Sequence, residues 1–458
     1  MSEDITLDEF VNDESNSDVS EEALMTSLDE TSVGHIPSDW STVRLGDLTE
    51  NTLYGANESA EDYDPNKPRY IRIKDIDERG RLKGSEKASL SSDKAEGYLL
   101  KEGDMLFARS GSPGRTYLHR DDEGEYCYGG YSIKHELVSE GLNHEYLSQY
   151  TKSQKYWDWI ERIARTGAQA NINSREYASL LVPIPPLPEQ RKIATVLYTI
   201  DQAIEKTNEL IDQIERVRAG TAQDLFRYGT SQRETQDSWL GEIPENWNIV
   251  QFSEIVESNR NGLYKSKDAY GEGCPIAKMG NALEKRVLDM SSADRLELTE
   301  EEKEKYGLNE GDLIFARRAQ EVSAAGDCCY VPELDELTVF ESSLIRVRLS
   351  EEANPEFYTQ YFDSPVGSRS IDRIVTETSI SGIATGDLLD LKVAVPSLGE
   401  QKEIADIMWQ FDDQEKVLKK EKAQYERLKR GLMQDLLSGT VRTTDTNIEV
   451  PEEVAQYG

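Results

Sequence analysis

The sequence contains few of the side chains that bind metals or form disulfides. Among its 458 residues there are four cysteines and four histidines. No C-x-x-C pair and no H-x-x-x-H or H-E-x-x-H pattern is present, and zinc sites and disulfide frameworks usually show such spacings. We therefore expect reduced structural thiols, no metal site and no cofactor. The cysteines are Cys127, Cys274, Cys328 and Cys329.

Long apolar runs are also absent. The chain has no stretch of about 18 apolar residues, which is the length that crosses a bilayer. Its N-terminal region carries acidic residues in place of the basic and apolar segments of a signal peptide. The sequence therefore predicts a cytoplasmic protein without membrane contact.

The common catalytic motifs are missing as well. There is no G-x-x-x-x-G-K-[ST] phosphate loop, and the glycine-rich segment 111–114 lacks the Lys and the Ser or Thr that would follow. The Asn/Asp-Pro-Pro-aromatic motif with which amino-methyltransferases grip an extruded base is not found. Acidic clusters such as Glu300–Glu304 are typical of solvated helix faces. The sequence therefore predicts a protein that is not an enzyme.

Basic residues are outnumbered, with 52 Lys and Arg against 88 Asp and Glu and a formal net charge of −36. This balance argues against nucleic acid as a partner, because such proteins usually carry a basic surface. However, residues 1–30 hold 11 acidic and no basic side chains, which is typical of a disordered tail. The remaining excess is typical of a halophilic source, where at about 1 M salt the screening length is only about 3 Å. A mesophilic acidic protein with its basic residues on one face is the alternative.

What the sequence does contain is an internal duplication. Three segments recur in the same order: P-P-L-P-E-Q-R-K-I-A at 185–194 as P-S-L-G-E-Q-K-E-I-A at 396–405, I-P-S-D-W at 36–40 as I-P-E-N-W at 243–247, and G-D-M-L-F-A-R at 103–109 as G-D-L-I-F-A-R at 311–317. A duplication of this size indicates one structural unit built twice. Two copies of a recognition unit suggest a target with two parts.

The repeats predict an α+β fold, in which two globular domains of mixed strands and short helices are separated by two long helices. The chain is too long for a single core, and its strand-like runs end in turn-forming residues. The predicted segments are an acidic disordered tail at 1–34, a first domain at 35–186, a central helix at 187–237, a second domain at 238–395, a distal helix at 396–442 and a frayed tail at 443–458.

Both predicted helices carry apolar residues at the three-four spacing of a coiled-coil seam. About 40 residues of helix span about 60 Å, which is more than a globular domain needs. We expect the two helices to pair as an antiparallel coiled coil with one domain at each end; solvated surface helices are the alternative. The seams are Ile193, Leu197, Ile200, Ile204, Thr207, Ile211, Ile214, Thr221 and Leu225, and Ile404, Met408, Phe411, Leu418, Tyr425, Leu428, Leu432 and Leu436, the second interrupted by Glu415 and Lys422.

Polar and basic residues occupy matching places in the two copies. The repeated strand ends in an arginine in both, and Arg72 and Lys278 lie in equivalent strands. Arg, Lys, Asn, Gln and Ser side chains on loops can read base edges in the major groove of DNA, although such residues line most loops. The candidate DNA contacts are Arg72, Lys74, Arg109, Ser110, Arg115, Gln169, Asn171 and Asn173 in the first copy, and Lys278, Asn281, Arg317, Arg318, Ser379 and Ser381 in the second.

These ordered motifs resemble the specificity subunits of type I restriction–modification systems. The resemblance rests on the duplicated segments above and the closing Met433–Gly439, and it covers nearly all of 35–442, although the acidic extension at 1–30 departs from the family's usual start. It implies two target recognition domains that each read half of a split double-stranded DNA sequence. It also implies helices that dock two methyltransferase subunits, while methylation and ATP-driven cleavage belong to the methyltransferase and restriction subunits.

Two other functions stay open on the sequence alone. A coiled-coil adaptor would bind proteins only and show no DNA specificity. A part of a fused restriction–methylation enzyme would have its catalytic domain on a separate, neighbouring chain. The sequence does not reveal the DNA target, because recognition loops follow no transferable code.

Overall fold

The protein is described by a computed structural model that covers residues 28–31, 34–120, 124–164, 171–231, 234–283, 285–376 and 381–457, with the backbone alone at 28–31 and 267. The predicted Gln169 and Ser379 lie outside these residues. The chain forms two compact units: unit 1 runs to Lys206 and resumes at Glu421, and unit 2 is Thr207–Lys420. Each unit contains one copy of the duplicated motifs, and the predicted α+β class and the duplication are confirmed.

The strands of unit 1 are short. They are Leu28–Thr31 (β1), Gly34–Pro37 (β2), Ser41–Arg44 (β3), Thr49–Tyr54 (β4), Glu61–Asp62 (β5), Arg69–Ile71 (β6), Ala88–Ser89 (β7), Met105–Ala108 (β8), Thr116–Leu118 (β9), Tyr126–Tyr128 (β10), Ser132–Leu137 (β11) and Leu181–Ile184 (β12).

Two four-stranded sheets form the body of unit 1. One is antiparallel with the order β4-β11-β8-β9, and the other has the order β10-β6-β7-β5 with a parallel β10–β6 pair. Strands β8 and β11 are buried along nearly their whole length; β8 is a continuous apolar run, whereas β11 buries the polar side chains of Ser132, Lys134 and His135. Two smaller pairs complete the unit, the β1–β2 hairpin and the β3–β12 ribbon.

Unit 2 repeats the plan. Its strands are Thr235–Ser238 (β13), Gly241–Pro244 (β14), Asn248–Gln251 (β15), Val256–Asn261 (β16), Tyr270–Ala277 (β17), Asp294–Leu296 (β18), Leu313–Ala316 (β19), Arg318–Ala319 (β20), Cys328–Tyr330 (β21), Val339–Phe340 (β22), Leu344–Leu349 (β23), Ser381–Gly382 (β24) and Lys392–Val395 (β25).

Three sheets of unit 2 match those of unit 1. The order β16-β23-β19-β21 corresponds to β4-β11-β8-β9, the β15–β25 ribbon to β3–β12, and the β13–β14 hairpin to β1–β2. The second large sheet differs, because unit 2 has three strands in the order β18-β17-β22. Unit 2 also pairs β20 with β24, next to the repeated arginine strand.

The α-helices comprise ten short segments and two long ones within the described residues. They are Ser92–Ala95 (α1), His144–Tyr150 (α2), Gln154–Ala164 (α3), Ser174–Ala178 (α4), Leu187–Tyr228 (α5), Met279–Ala282 (α6), Glu300–Tyr306 (α7), Pro355–Asp363 (α8), Pro365–Asp372 (α9), Thr385–Leu389 (α10), Leu398–Ser438 (α11) and Glu452–Ala455 (α12).

Both long helices, α5 and α11, end at a glycine in the left-handed region. Gly229 has a φ of 69° and Gly439 a φ of 75°, a conformation that favours glycine because other residues would strain their Cβ. A Cβ on Gly439 would also collide with Pro37, and one on Gly229 would touch Pro244. The two prolines belong to the repeated I-P-x-x-W segments, so each helix end is packed against the opening of one copy.

Burial along α5 follows the predicted seam for its first six turns and then leaves it. Side chains are buried from Ile193 to Ile211 as predicted. In the last turns Arg218, Ala222 and Phe226 are buried, and the predicted Thr221 and Leu225 are only partly so. The seam prediction was wrong in these last turns. It was based on apolar residues at three-four spacing, and such a pattern does not predict that Arg218 is buried.

The seam of α11 is also more polar than predicted. Glu415 and Lys429 are buried in it, whereas the predicted Leu428 is exposed. Within unit 1, Asp201 of α5 contacts Lys429, and Lys192 contacts Thr443 beyond the end of α11. Within unit 2, Arg218 contacts Asp412 and Thr230 contacts Glu400. In each unit the partners run in reverse order along the two segments.

Two terminal predictions need correction. Strand β1 lies inside the segment 1–34 that was predicted as tail, because the chain there forms a hairpin with β2. The segment predicted to be frayed is packed on unit 1, with Val454 and Tyr457 buried. No helix among the described residues is long and apolar enough to cross a membrane.

Candidate nucleic-acid interface

Arg109 stands where strand β8 ends and two loops meet. The four residues of β8 are buried, so the strand fixes the direction in which the chain leaves the sheet. The backbone N–H of Arg109 donates to the carbonyl of Tyr131 at 2.8 Å, and its own carbonyl accepts from the N–H of Ile172 at 2.9 Å. These bonds hold Arg109 between the loop before β11 and the loop before α4.

The side chain of Arg109 is held by two neighbours. Its guanidinium carbon lies 4.8 Å from the centre of the Tyr54 ring, and its Nε donates to Oδ1 of Asn171 at 3.3 Å. Tyr54 is in turn fixed by its hydroxyl, which donates to Oγ of Ser174 at 3.2 Å. Stacking on a ring orients the guanidinium plane while leaving its other N–H groups able to donate. The Arg109 guanidinium is therefore held by both the Tyr54 ring and Asn171.

A cleft of about 560 Å³ opens beside this arginine. It collects four of the predicted residues, Arg72, Arg109, Ser110 and Asn171. Tyr131 also lines it, and 67% of that side chain is exposed. An exposed aromatic ring next to arginine and amide groups provides donors, acceptors and a stacking surface in one place.

Arg72 and two predicted residues outside the cleft, Lys74 and Arg115, have local partners. Arg72 donates twice to the buried Asp75, at 2.8 Å from both Nε and Nη2, which raises the pKa of Arg72. The ammonium of Lys74 pairs with Glu86 at 2.8 Å on the surface. Arg115 donates to the carbonyl of Ile76 at 3.0 Å.

Asn173 caps a helix. Its side-chain oxygen accepts from the backbone N–H groups of Arg175 and Glu176, each at 3.0 Å, at the start of α4. This geometry satisfies helix N–H groups that would otherwise lack partners. Asn173 therefore positions the loop that carries Asn171, and its side chain is occupied.

Unit 2 rebuilds the same backbone around Arg317. The N–H of Arg317 donates to the carbonyl of Ser343 at 2.8 Å, and its carbonyl accepts from Ile383 at 3.0 Å. The side chains differ, however. Asn261 replaces the tyrosine at the end of the edge strand and accepts from Thr385 at 2.8 Å, and the Arg317 guanidinium donates to the carbonyl of Ser342 at 3.3 Å.

The remaining predicted residues of unit 2 divide into exposed and buried ones. Arg318 is exposed on β20, which pairs with the strand containing the buried Ser381. Lys278 binds Asp294 at 2.5 Å and lies 4.2 Å from the centre of the Tyr270 ring. Asn281 is buried, and its amide donates to the carbonyl of Asp289 at 2.8 Å.

Among the residues that the structure describes, no three His, Cys, Asp or Glu side chains are placed to hold a metal ion. The four cysteines are free, and burial raises the pKa of Cys127 and Cys329 to about 12, so these thiols stay protonated. The arrangement can offer hydrogen bonds and stacking.

A family of known proteins shares this duplicated plan. The family described as type I restriction modification DNA specificity domain matches the chain twice, at residues 37–216 and 244–427. The chain belongs to this family. Its two specificity domains thus coincide with the two copies of the motifs.

Relatives with a specificity domain match most of the chain. The type I restriction enzyme MjaVIII specificity subunit of Methanocaldococcus jannaschii is 23% identical over 90% of this chain and 95% of its own length. The EcoKI specificity subunit of Escherichia coli is 29% identical over 61% of this chain and 60% of its own. The crystal structure of a type I restriction–modification S subunit from M. genitalium has the same fold, with a TM-score of 0.57, 16% identity and coverage of 87% and 96%.

Two side chains beside Arg109 in the first specificity domain were not predicted from the sequence. Tyr54 and Tyr131 flank Arg109, yet they are distant from it in sequence. The G-G-Y segment at 129–131 was a usable signal for Tyr131, because two glycines before an aromatic residue mark an exposed turn. Tyr54 had no comparable signal, since tyrosine is common at strand ends.

Proposed function

We propose that this chain reads a bipartite DNA target, with one half-site for the domain at 35–186 and the other for the domain at 238–395. The observation that carries the proposal is the pair of matched arginine sites. Arg109 and Arg317 are held by equivalent backbone bonds, while Tyr54 in one unit is replaced by Asn261 in the other. A constant backbone with different side chains suits two readers of different sequences.

In this proposal the arginines read base edges. An arginine that is free to donate through two N–H groups matches the O6 and N7 acceptors of guanine, and Asn171 beside Arg109 can bind the next base. Ser110 directly follows Arg109 in the chain, and Arg318 directly follows Arg317. Gln169 and Ser379 remain candidate contacts.

The other candidates suit supporting roles. Lys74, Arg115 and Lys278 can reach phosphates, since charged side chains that contact phosphate add affinity without sequence information. Arg72 and Asn173 order the loops around Arg109, and the buried Asn281 and Ser381 do the same in unit 2. Only substitutions of the exposed donors are expected to change which DNA sequence is read.

The long helices, at 187–237 and 396–442 with their flanking turns, would form an antiparallel coiled coil between the domains. Val217 of α5 and Leu428 of α11 occupy equivalent places in the two copies, and both are exposed apolar side chains. Equivalent apolar spots support docking of two methyltransferase subunits, one on each helix. Restriction subunits would join through that complex. The chain itself would contribute DNA recognition, and its partner subunits would carry out methylation and ATP-driven cleavage. The complex would act in the cytoplasm, where its DNA is.

The proposal is tested by mapping methylated adenines in cells with and without this gene, in the presence of the partner methyltransferase. The expected result is one methylated two-part motif that disappears with the gene. A coiled-coil adaptor without DNA specificity would leave the methylated motif unchanged. A purified complex that binds target and non-target duplexes equally would reject sequence reading.

A further inference from the structure

The segment Thr443–Tyr457, here called the strap, lies along unit 1 after the end of α11. It is mostly irregular, with one short helical turn at α12. Val454 is fully buried in the apolar cluster that also contains Ile193, Leu197 and Met433. Tyr457 is also buried. The strap therefore fills a groove formed by the start of α5, the end of α11 and the loop before α2.

Lys192 makes three hydrogen bonds to the first part of the strap, and Glu189 accepts a fourth from the N–H of Thr443 at 3.3 Å. Nζ of Lys192 donates to the carbonyls of Thr443, Thr444 and Thr446, at 3.1, 3.1 and 2.7 Å. An ammonium group has three donors, and here each of them has an acceptor on the strap. Hydrogen bonds to a charged donor are stronger than neutral ones, so Lys192 is well suited to hold an irregular peptide.

The start of helix α2 binds the second part. The amide of Asn143 donates to the carbonyl of Val454 at 2.8 Å, and the backbone N–H of His144 donates to the carbonyl of Tyr457 at 2.7 Å. Asn143 and His144 are the N-cap and first residue of α2, where backbone N–H groups need partners from outside the helix. The strap thus supplies acceptors to the N-terminus of a buried helix.

Unit 2 has the same helix and the same groove walls, but not the same donors. Glu403 occupies the place of Lys192, and a carboxylate repels carbonyl oxygens instead of binding them. Pro355 occupies the place of His144 and has no N–H to donate. The N-cap asparagine is retained as Asn354, which is only partly buried, whereas Asn143 is fully buried. The receptor for the strap is therefore confined to unit 1.

We propose that unit 1 carries a dedicated peptide-binding site, formed by Lys192, Asn143 and the N–H of His144, whose ligand is the strap. The strap is a clasp that keeps α2 seated against α5. Helix α2 carries Gln149, which donates to Asp201 of α5 at 3.1 Å, so the clasp also supports the packing of the helices in unit 1. Release of the clasp loosens unit 1 and leaves unit 2 unchanged.

Hydrogen exchange on the full-length protein tests the clasp directly. Lys192→Glu gives unit 1 the residue of unit 2, and Val454→Asp breaks the contact from the strap side without altering the receptor. Lys192→Glu removes three hydrogen bonds to a charged group, and Val454→Asp places a carboxylate in an apolar cluster. Each substitution is expected to speed exchange of the strap amides and of the amides at 144–150 about tenfold or more, since either loss changes an equilibrium by at least that factor. The amides at 356–363 in unit 2 should exchange as in the wild type.

Glu403→Lys is the matched control, because it makes the reverse change in unit 2 and should leave strap exchange unaltered. Strap amides in the wild type that exchange as fast as a free peptide would overturn the proposal. Faster exchange in unit 2 as well as unit 1 would also overturn it, because the strap would then be part of a common core and not a separable ligand.

The effect on DNA rests on the proposed function. In the Val454→Asp protein, discrimination at the half-site read by unit 1 should fall, and discrimination at the other half-site should persist. If hydrogen exchange shows that the strap is released while both half-sites are still read as before, the clasp has no role in DNA recognition. The proposal that each domain reads one half-site would then still stand. If the wild-type complex reads no half-site, the proposed function fails while the exchange result still decides the clasp.

Discussion

Lys429 of α11 binds Asp201 of α5 through a buried contact of 2.6 Å between Nζ and Oδ1. Unit 2 contains the equivalent pair, in which Nε of Arg218 donates to Oδ1 of Asp412 at 2.8 Å. In both units a glutamine from the neighbouring short helix also donates to the aspartate, Gln149 at 3.1 Å and Gln360 at 2.6 Å. The duplication thus preserves a buried polar bond between a segment of α5 and a segment of α11 in each unit.

Removing one partner of this pair should destabilise unit 1. Asp201→Ala leaves Lys429 buried without its carboxylate, and it also removes the partner of Lys152, whose Nζ lies 4.0 Å away and whose pKa burial lowers to about 8. We expect a loss of about 3–5 kcal/mol in the free energy of unfolding. Urea denaturation checks this. The triple variant Asp201→Leu, Lys429→Met and Lys152→Met removes the carboxylate together with both lysines and should lose much less, and an equal loss in the single and triple variants would contradict a role for charge pairing.

Substitution of the repeated arginines should separate the two half-sites. Arg317→Ala with Arg318→Ala should relax reading of one half-site only, by about 1–3 kcal/mol for each lost bidentate base contact. Arg109→Ala should do the same at the other half-site. Methylome sequencing gives the answer. Equal weakening at every sequence would identify the arginines as phosphate contacts, and unchanged specificity in the double variant would reject them as readers.

Tyr54 should act by orienting Arg109. Tyr54→Ala removes the ring beneath the guanidinium and should weaken binding of the half-site by about 0.5–1 kcal/mol, the usual strength of an exposed cation–π contact. Tyr54→Phe keeps the ring and loses only the bond to Ser174, so it should retain most of the affinity. Titration of a labelled duplex measures both. If Tyr54→Ala has the same effect in an Arg109→Ala background, the ring acts on DNA and not through Arg109.

Helix length should set the spacing between half-sites. One extra heptad in each helix adds about 10 Å and keeps the seam on the same face. Since B-DNA advances about 3.4 Å per base pair, insertions after Thr207 and after Leu418 should widen the unread spacer by at most about three base pairs. DNA bending would reduce this figure. The bases read in each half-site should stay the same. An unchanged spacer in an active variant would refute the idea that helix length sets the distance between half-sites.

The stability of unit 1 should depend on pH through His135. This residue is fully buried on β11, and burial lowers its pKa from 6.5 to about 4. The unfolded chain therefore binds a proton between these values that the folded chain does not, so stability is complete above pH 6.5 and falls as the pH drops towards 4, by up to about 3 kcal/mol. Val347 occupies the equivalent place in unit 2, so His135→Val should flatten this part of the profile. Denaturation at several pH values checks it.

The sequence alone determined the plan of the protein. Repeated motifs such as G-D-[ML]-[LI]-F-A-R fixed the duplication, because a buried strand needs consecutive apolar residues wherever it recurs. The starts of the long helices followed from the prolines of the repeated segments at 185–194 and 396–405, whereas their ends at Tyr228 and Ser438 come before the predicted ends at 237 and 442. The arginines at 109 and 317 could be singled out because they follow those strands.

Only the tertiary structure decided what surrounds these residues. Tyr54 and Asn171 reach Arg109 through strand pairing and loop packing, which join residues far apart in the chain. The burial of Asn281 and Ser381, and the pairing of Arg72 with Asp75, likewise depend on which groups lie nearby. The segment 443–457 looks like a polar tail in sequence, and it is ordered because Lys192 and the start of α2 offer donors to its carbonyls. Local patterns encode the elements, whereas a polar side chain's role depends on the partners that folding places within hydrogen-bond distance.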